Sequence, residues 1–258
     1  MLKFALKIMP LVFVLAACAV SPTGRQQFIA VSSQQLDAMG ARAFNQLKQT
    51  KPQSRNPQLN NYVNCVARAV TSVLPGGAGA WEVRVFEDGS INAFALPGAK
   101  IGVNTGLLRV ARNQDQLAAV IGHEVGHVLA NHANERASQD LLVKGGLSVL
   151  ESGGGISPGW IQALGLGAQV GYLLPYSRIH ESEADLIGVD IMARAGFDPR
   201  QSLQLWQNMA QASRGEPPEF FSSHPASGTR LRDLQAGIGP ALQIYEIARS
   251  QGRRPGCA

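Results

Sequence analysis

Charge, aromatic rings, cysteine and long apolar runs are all in short supply in this chain. Charged residues fill 16% and aromatic residues 6% of its 258 positions. Charge that sparse, beside 45% apolar residues, argues against a disordered tail protein. The basic excess is only +5, and Lys3 and Lys7 carry part of it; without residues 1–17 the chain holds 21 basic against 18 acidic side chains. So weak a field offers nothing to a nucleic acid. No apolar run is long enough to cross a bilayer: Ile8–Ala17 is broken by Pro10, and Trp160–Leu174 has fifteen residues. No internal repeat recurs, which argues against a helical-repeat array. What is left is ample for one sizeable core.

Residues 1–17 have a positive start and a short apolar stretch, the pattern of a secretory signal. The end of that stretch, Leu15-Ala16-Ala17-Cys18, resembles the lipobox of bacterial lipoproteins, which are cut before the cysteine that carries the lipid. The alternative is a simple signal cut after an A-x-A-like site. Ala19 after the cysteine, by resemblance to enterobacterial lipoproteins, implies the periplasmic face of the outer membrane. Residues 18–30 then read as a lipid-anchored tether and 31–258 as a single domain. Cys65 and Cys257 remain, in a compartment that permits disulfides. They form either a bridge tying the tail to an early helix or two free thiols.

Periodicity and turn residues predict helices from Ser32 or Ser33 to about Gln49 and from Pro57 to Leu74. Strands follow at Trp81–Phe86, Ile91–Leu96 and Lys100–Asn104. Asn113–Gln139 reads as one long helix, with Leu117, Val120, Ile121, Val125, Val128 and Leu129 on one stripe. The glycine-rich 145–159 stretch suggests a mobile connection, and Trp160–Leu174 a buried helix or a membrane-surface contact. Further helices are expected over Ser177–Gly196, Pro199–Ala212, Thr229–Gln235 and Pro240–Ser250, with 216–228 as loop. The fold class is α+β, predominantly helical, with a small sheet.

Inside the 113–139 helix lies His123-Glu124-Val125-Gly126-His127. Histidines at i and i+4 share one helix face and can reach one ion. Glu124 is turned about 100° away, where it meets a water on that ion rather than the ion itself. This is the HExxH zinc signature with a glutamate as general base. A catalytic zinc takes a third protein ligand and keeps one position open. The stretch His180-Glu181-Ser182-Glu183-Ala184-Asp185 offers Glu181 as that ligand, with Glu183 its rival on the opposite face. Asp185, one turn beyond Glu181, is placed to accept a hydrogen bond from the outer nitrogen of a ligand histidine. His132 falls off the ligand face and reads as structural; His180 looks elsewhere.

HEVGH followed by ESEAD some fifty residues later resembles the gluzincin metallopeptidases that group the HtpX, BepA and LoiP proteases with the CAAX prenyl endopeptidases. Asn92-Ala-Phe-Ala-Leu-Pro-Gly98, Val103-Asn-Thr-Gly-Leu-Leu108 and His224-Pro225 with Arg230 match further stretches of that family. The resemblance implies a zincin-like fold with a small sheet beside the HExxH helix and one Zn2+ on His123, His127 and Glu181. It implies Glu124 as base and His224 and Arg230 as helpers for the developing oxyanion, with His224 also a candidate for the open zinc position at rest. An edge formed by Asn92, Ala93 and Phe94 would bind unfolded or extended protein through its backbone. The chain resembles a short, LoiP-like lipoprotein, and the implied setting is membrane attachment near the outer-membrane assembly machinery. The competing expectation is a non-proteolytic, zinc-stabilised lipoprotein that holds assembly clients.

Overall fold

The computed structural model describes residues 18–144, 177–212, 219–225 and 228–257. The expected signal segment at 1–17, the expected 145–159 connection, the Trp160–Leu174 stretch and the start of the expected 216–219 loop lie outside the described residues. The chain opens with a hairpin, β1 (Cys18–Val20) against β2 (Gln26–Phe28), paired antiparallel. This hairpin occupies most of the 18–30 stretch read as a tether. Arg25 beside its turn reaches carboxylates far along the chain, as detailed below.

Helix α1 (Ser33–Thr50) starts at a capping box in which Ser32 and Gln35 satisfy each other's backbone N–H groups. It stops where Lys51, held extended before Pro52, cannot continue it. Helix α2 (Pro57–Thr71) is capped by Asn56, with Pro57 in the first turn where its missing N–H costs nothing. Strands β3 (Glu82–Phe86), β4 (Ala93–Leu96) and β5 (Lys100–Asn104) form a sheet of order β3-β5-β4. β3 runs parallel to β5 and β4 antiparallel, which leaves β4 on one edge of the three.

The expected 113–139 helix is two helices, α3 (Gln114–Leu129) and α4 (His132–Lys144). Asn131 between them has φ 54°, a left-handed conformation that asparagine tolerates and that ends a helix as glycine would. Helices α5 (Arg178–Arg194) and α6 (Gln201–Ala212) follow as expected. The presumed loop after Phe220 instead holds a short helix, α7 (Glu219–Ser223). Phe220 is 2% exposed, and burying it against the sheet-and-helix core holds that turn in place. The last two expected helices are one, α8 (Gly228–Ser250), which runs through Pro240. It loses a backbone bond there. In exchange Leu234, Ile238 and Ala241 stay packed on Val189 and Ala193 of α5.

The main core gathers α2, the sheet, α3, α5 and α6 around Leu117, Ile121, Val125 and Met192. Cys65 on α2 and Cys257 are bridged, with Cα atoms 5.6 Å apart across 192 residues of chain. A loop that long restricts the unfolded chain strongly, so reduction should cost about 2–4 kcal/mol. Thermal melts with and without reductant, and of Cys257→Ser, check this; equal melting temperatures would contradict it. Among the described residues no helix is long and apolar enough to cross a membrane.

Candidate metal centre

Helix α3 is buried almost all round from Gln116 to His127. Its approach to α5 is unusually close because glycines face backbone. A Cβ added at Gly122 would lie 2.8 Å from the Gly188 carbonyl oxygen, and one at Gly126 2.8 Å from that of Ala184. A Cβ at Gly188 would lie 2.7 Å from the His123 nitrogen. Side chains of modest reach can therefore meet across the two helices.

They do meet. The Nε2 atoms of His123 and His127 are 3.1 Å apart. Glu181 brings Oε2 to 3.5 Å from His123 Nε2 and Oε1 to 3.4 Å from His127 Nε2. His224 adds Nδ1 at 3.3 Å from His123 Nε2 and 3.0 Å from Glu181 Oε1. These four buried residues each offer a ligand atom within 4.8 Å of the others. Bonds of about 2.0–2.1 Å to a tetrahedral ion imply ligand-to-ligand edges of about 3.3 Å. The observed separations cluster on that value, so the donor set fits one small divalent ion. Nitrogen donors packed this closely around a carboxylate are hard to satisfy by hydrogen bonds alone.

The surroundings hold these donors in place. Asp185 Oδ1 lies 2.9 Å from His123 Nδ1, the outer nitrogen. Arg230, near the start of α8, donates to both Asp185 oxygens at 2.5 and 2.9 Å and ion-pairs with Glu181 at 2.5 Å. Its guanidinium lies 4.2 Å over the Trp206 ring. Arg230 is therefore engaged with the Asp185 and Glu181 carboxylates and orients them. The His224 ring stacks on Phe220 at 4.5 Å, and its Nε2 lies 3.4 Å from Glu124 Oε1. Glu124 is buried beside the cluster but is not one of the four donors. Glu183, the rival ligand, faces away and binds His132, Thr23 and Arg25. His180 turns to Glu135 at 3.1 Å.

Burial works against every charge here, and partners decide the outcome. Burial raises the Glu124 carboxyl, and His224 and His123 only partly offset it. Burial would also raise Glu181, but His224 and Arg230 hold it well below the usual carboxylate range. Burial and Arg230 push the His123 imidazole down, yet Asp185 and Glu181 outweigh them and carry it up to about 9. Burial drives His127 well below its ordinary value and His132 down to about 4.

The expected substrate edge is half-hidden. Ala93 and Phe94 lie on β4 with Asn92 just before it, and all three side chains are buried. Phe94 stacks with Phe86 at 6.0 Å over Gly102, so only the β4 backbone can face a bound chain. Sequence reasoning took His132 as merely structural and missed Arg25, Thr23 and Glu135 altogether. No local pattern marks Arg25, whose partner Glu135 is 110 positions away.

Comparison with known proteins agrees with this geometry. The family model for peptidase family M48 matches residues 53–238. The chain is 34% identical over 189 residues to the mitochondrial metalloendopeptidase OMA1 of Schizosaccharomyces pombe, covering 71% of this chain and 54% of that protein. It is 39% identical over 178 residues to the mitochondrial OMA1 of Bos taurus, covering 64% and 34%. It is 29% identical over 207 residues to the beta-barrel assembly-enhancing protease of Escherichia coli, covering 76% and 42%. The chain thus spans about half the length, or less, of these curated relatives. With a matching model over most of its length and the HExxH and ExxxD donors brought together on α3 and α5, the chain belongs to peptidase family M48.

Proposed function

We propose that this protein is a zinc-dependent endopeptidase of the bacterial cell envelope that cleaves unfolded or misassembled outer-membrane proteins. The observation that carries this reading is the convergence of His123, His127 and Glu181 with the buried carboxylate of Glu124 beside them. Two imidazoles and one carboxylate are a known zinc set. When bound, zinc would acidify a water toward neutrality and polarise the scissile carbonyl. Glu124 Oε1 takes the proton of the attacking water and returns it to the leaving nitrogen. Burial raises its carboxyl, which makes it a stronger base than an exposed glutamate. His224, whose Nε2 lies 3.4 Å from Glu124 Oε1, is a candidate donor to negative charge developing on the substrate once its ring has moved off the metal position. In the arrangement described, His224 Nδ1 fills the fourth donor position, so productive binding requires the His224 ring to swing aside.

An extended polypeptide fits the β4 edge, since backbone pairing there tolerates many sequences. The beta-barrel assembly-enhancing name of one relative supports an outer-membrane client. The lipobox-like ending at Cys18 supports attachment to the periplasmic face of that membrane through a lipid. Metabolic labelling with a radioactive fatty acid, lost in Cys18→Ser, tests the anchor. One observation favours a second reading, a zinc-stabilised protein that holds clients without cutting them: four protein donors are what a structural zinc takes.

Metal analysis with a casein-cleavage assay separates the readings. Wild type should bind about one zinc per chain and cleave; Glu181→Ala should lower zinc affinity at least tenfold and abolish cleavage. Zinc without cleavage of casein or of any unfolded outer-membrane protein would support the holding role, and absence of zinc would end both.

A further inference from the structure

The two ligand histidines are each braced from behind, by different means. His123 rests on Asp185, which Arg230 holds. His127 rests on a longer series. Its Nδ1 lies 2.9 Å from His132 Nδ1, and His132 Nε2 lies 3.0 Å from Glu183 Oε2. Arg25 Nε donates to that same Glu183 oxygen at 2.8 Å, and the Thr23 hydroxyl donates to the other. Arg25 also forms a two-bond fork with Glu135 at 2.8 and 2.7 Å, which fixes the guanidinium between α4 and α5.

The donor and acceptor order along this series is forced. An imidazole that offers Nε2 to a cation carries its proton on Nδ1 and must donate it. His132 Nδ1 is then the acceptor, so the His132 proton sits on Nε2 and is given to Glu183. Glu183 needs donors on its remaining lone pairs, and Thr23 and Arg25 are those donors. The break at Asn131 makes the series possible. On an unbroken helix a residue five positions on would be rotated about 140° from His127; the left-handed turn brings His132 back behind it.

We propose that Arg25, on the hairpin that begins at Cys18, is a positioning residue for the metal ligand His127, acting through Glu183 and His132. The hairpin is then part of the peptidase machinery. This rests on the zinc reading above.

The test uses the full chain loaded with zinc and measures the rate of zinc transfer to a colorimetric chelator, together with the visible spectrum of the cobalt-substituted protein. Loss of an outer partner of a ligand histidine typically weakens metal binding 10–100-fold. Arg25→Ala should therefore release zinc at least tenfold faster and shift the cobalt spectrum, and Arg25→Lys should recover part of the loss. Thr23→Val, at an exposed position, removes one donor without disturbing the fold and should release zinc two- to fivefold faster. The deciding comparison is Arg25→Ala made in a His132→Gln background. If Arg25 acts through His132, the second change adds less than twofold. Additive effects, or wild-type release rates in both Arg25→Ala and Thr23→Val, overturn the proposal while leaving the zinc site standing. A wild type that binds no zinc removes the underlying reading as well.

Discussion

Glu124→Gln should retain wild-type metal content while its kcat/KM falls by about 10²–10⁴. The amide has the size and shape of the carboxylate, so the packing beside His224 survives. None of the four ligand atoms comes from Glu124, so metal affinity has no reason to change. What goes is the basic oxygen that takes a proton. The pH profile supplies a second reading. Burial lifts the Glu124 carboxyl above its ordinary range. Wild-type activity should fall as pH drops through that raised value, because the protonated carboxyl is no base. The Glu124→Gln protein should show no such acid limb. Cleavage by Glu124→Gln at the wild-type rate would mean that another group is the base.

Gly188→Ala is expected to do comparable damage from outside the ligand set. The added carbon would lie 2.7 Å from the His123 nitrogen and 2.9 Å from the Gly122 carbonyl carbon, both backbone atoms. Neither can rotate away as a side-chain tip would, so α3 and α5 must separate. Overpacking of this kind costs about 1–3 kcal/mol of stability. It also pulls the imidazoles from Glu181, and metal affinity should fall at least tenfold. Gly79→Ala meets no atom within 4 Å and serves as the neutral comparison. Denaturant unfolding and metal titration of both proteins decide the matter. If Gly188→Ala binds metal as wild type does, the close helix approach is not what assembles the centre.

What could be read from the residues alone was local in character. The HEVGH pattern, the carboxylate pair Glu181 and Asp185, and the helix starts at Ser32, Asn113 and Ser177 all act within one or two helical turns. Such features carry their geometry with them. The misreadings share the opposite property. Asn131 ends α3 without glycine or proline to announce it. Pro240 fails to end α8 because distant packing on α5 holds the helix through it. The turn at α7 forms because Phe220 finds a buried place that only the assembled core provides. Likewise nothing near Gly188 in the chain announces its packing, since Gly122 and His123, which face it, lie far earlier in the sequence. The spacing of motifs named the ligands; nothing in it disclosed how near the two backbones must come.

The hairpin has a practical corollary for anyone trimming this protein. A fragment starting at Val31 would keep His123, Glu124, His127, Glu181 and His224 and would look complete on motif grounds. It would nonetheless strip Glu135 and Glu183, 7% and 4% exposed at their side chains, of the arginine that neutralises both. Orphaned buried acids destabilise a fold by on the order of 3 kcal/mol, discounted here because Arg25 itself is about a quarter exposed. Such a shortened form should melt earlier than one starting at Cys18, and a feeble preparation of it would say more about where it was cut than about the enzyme.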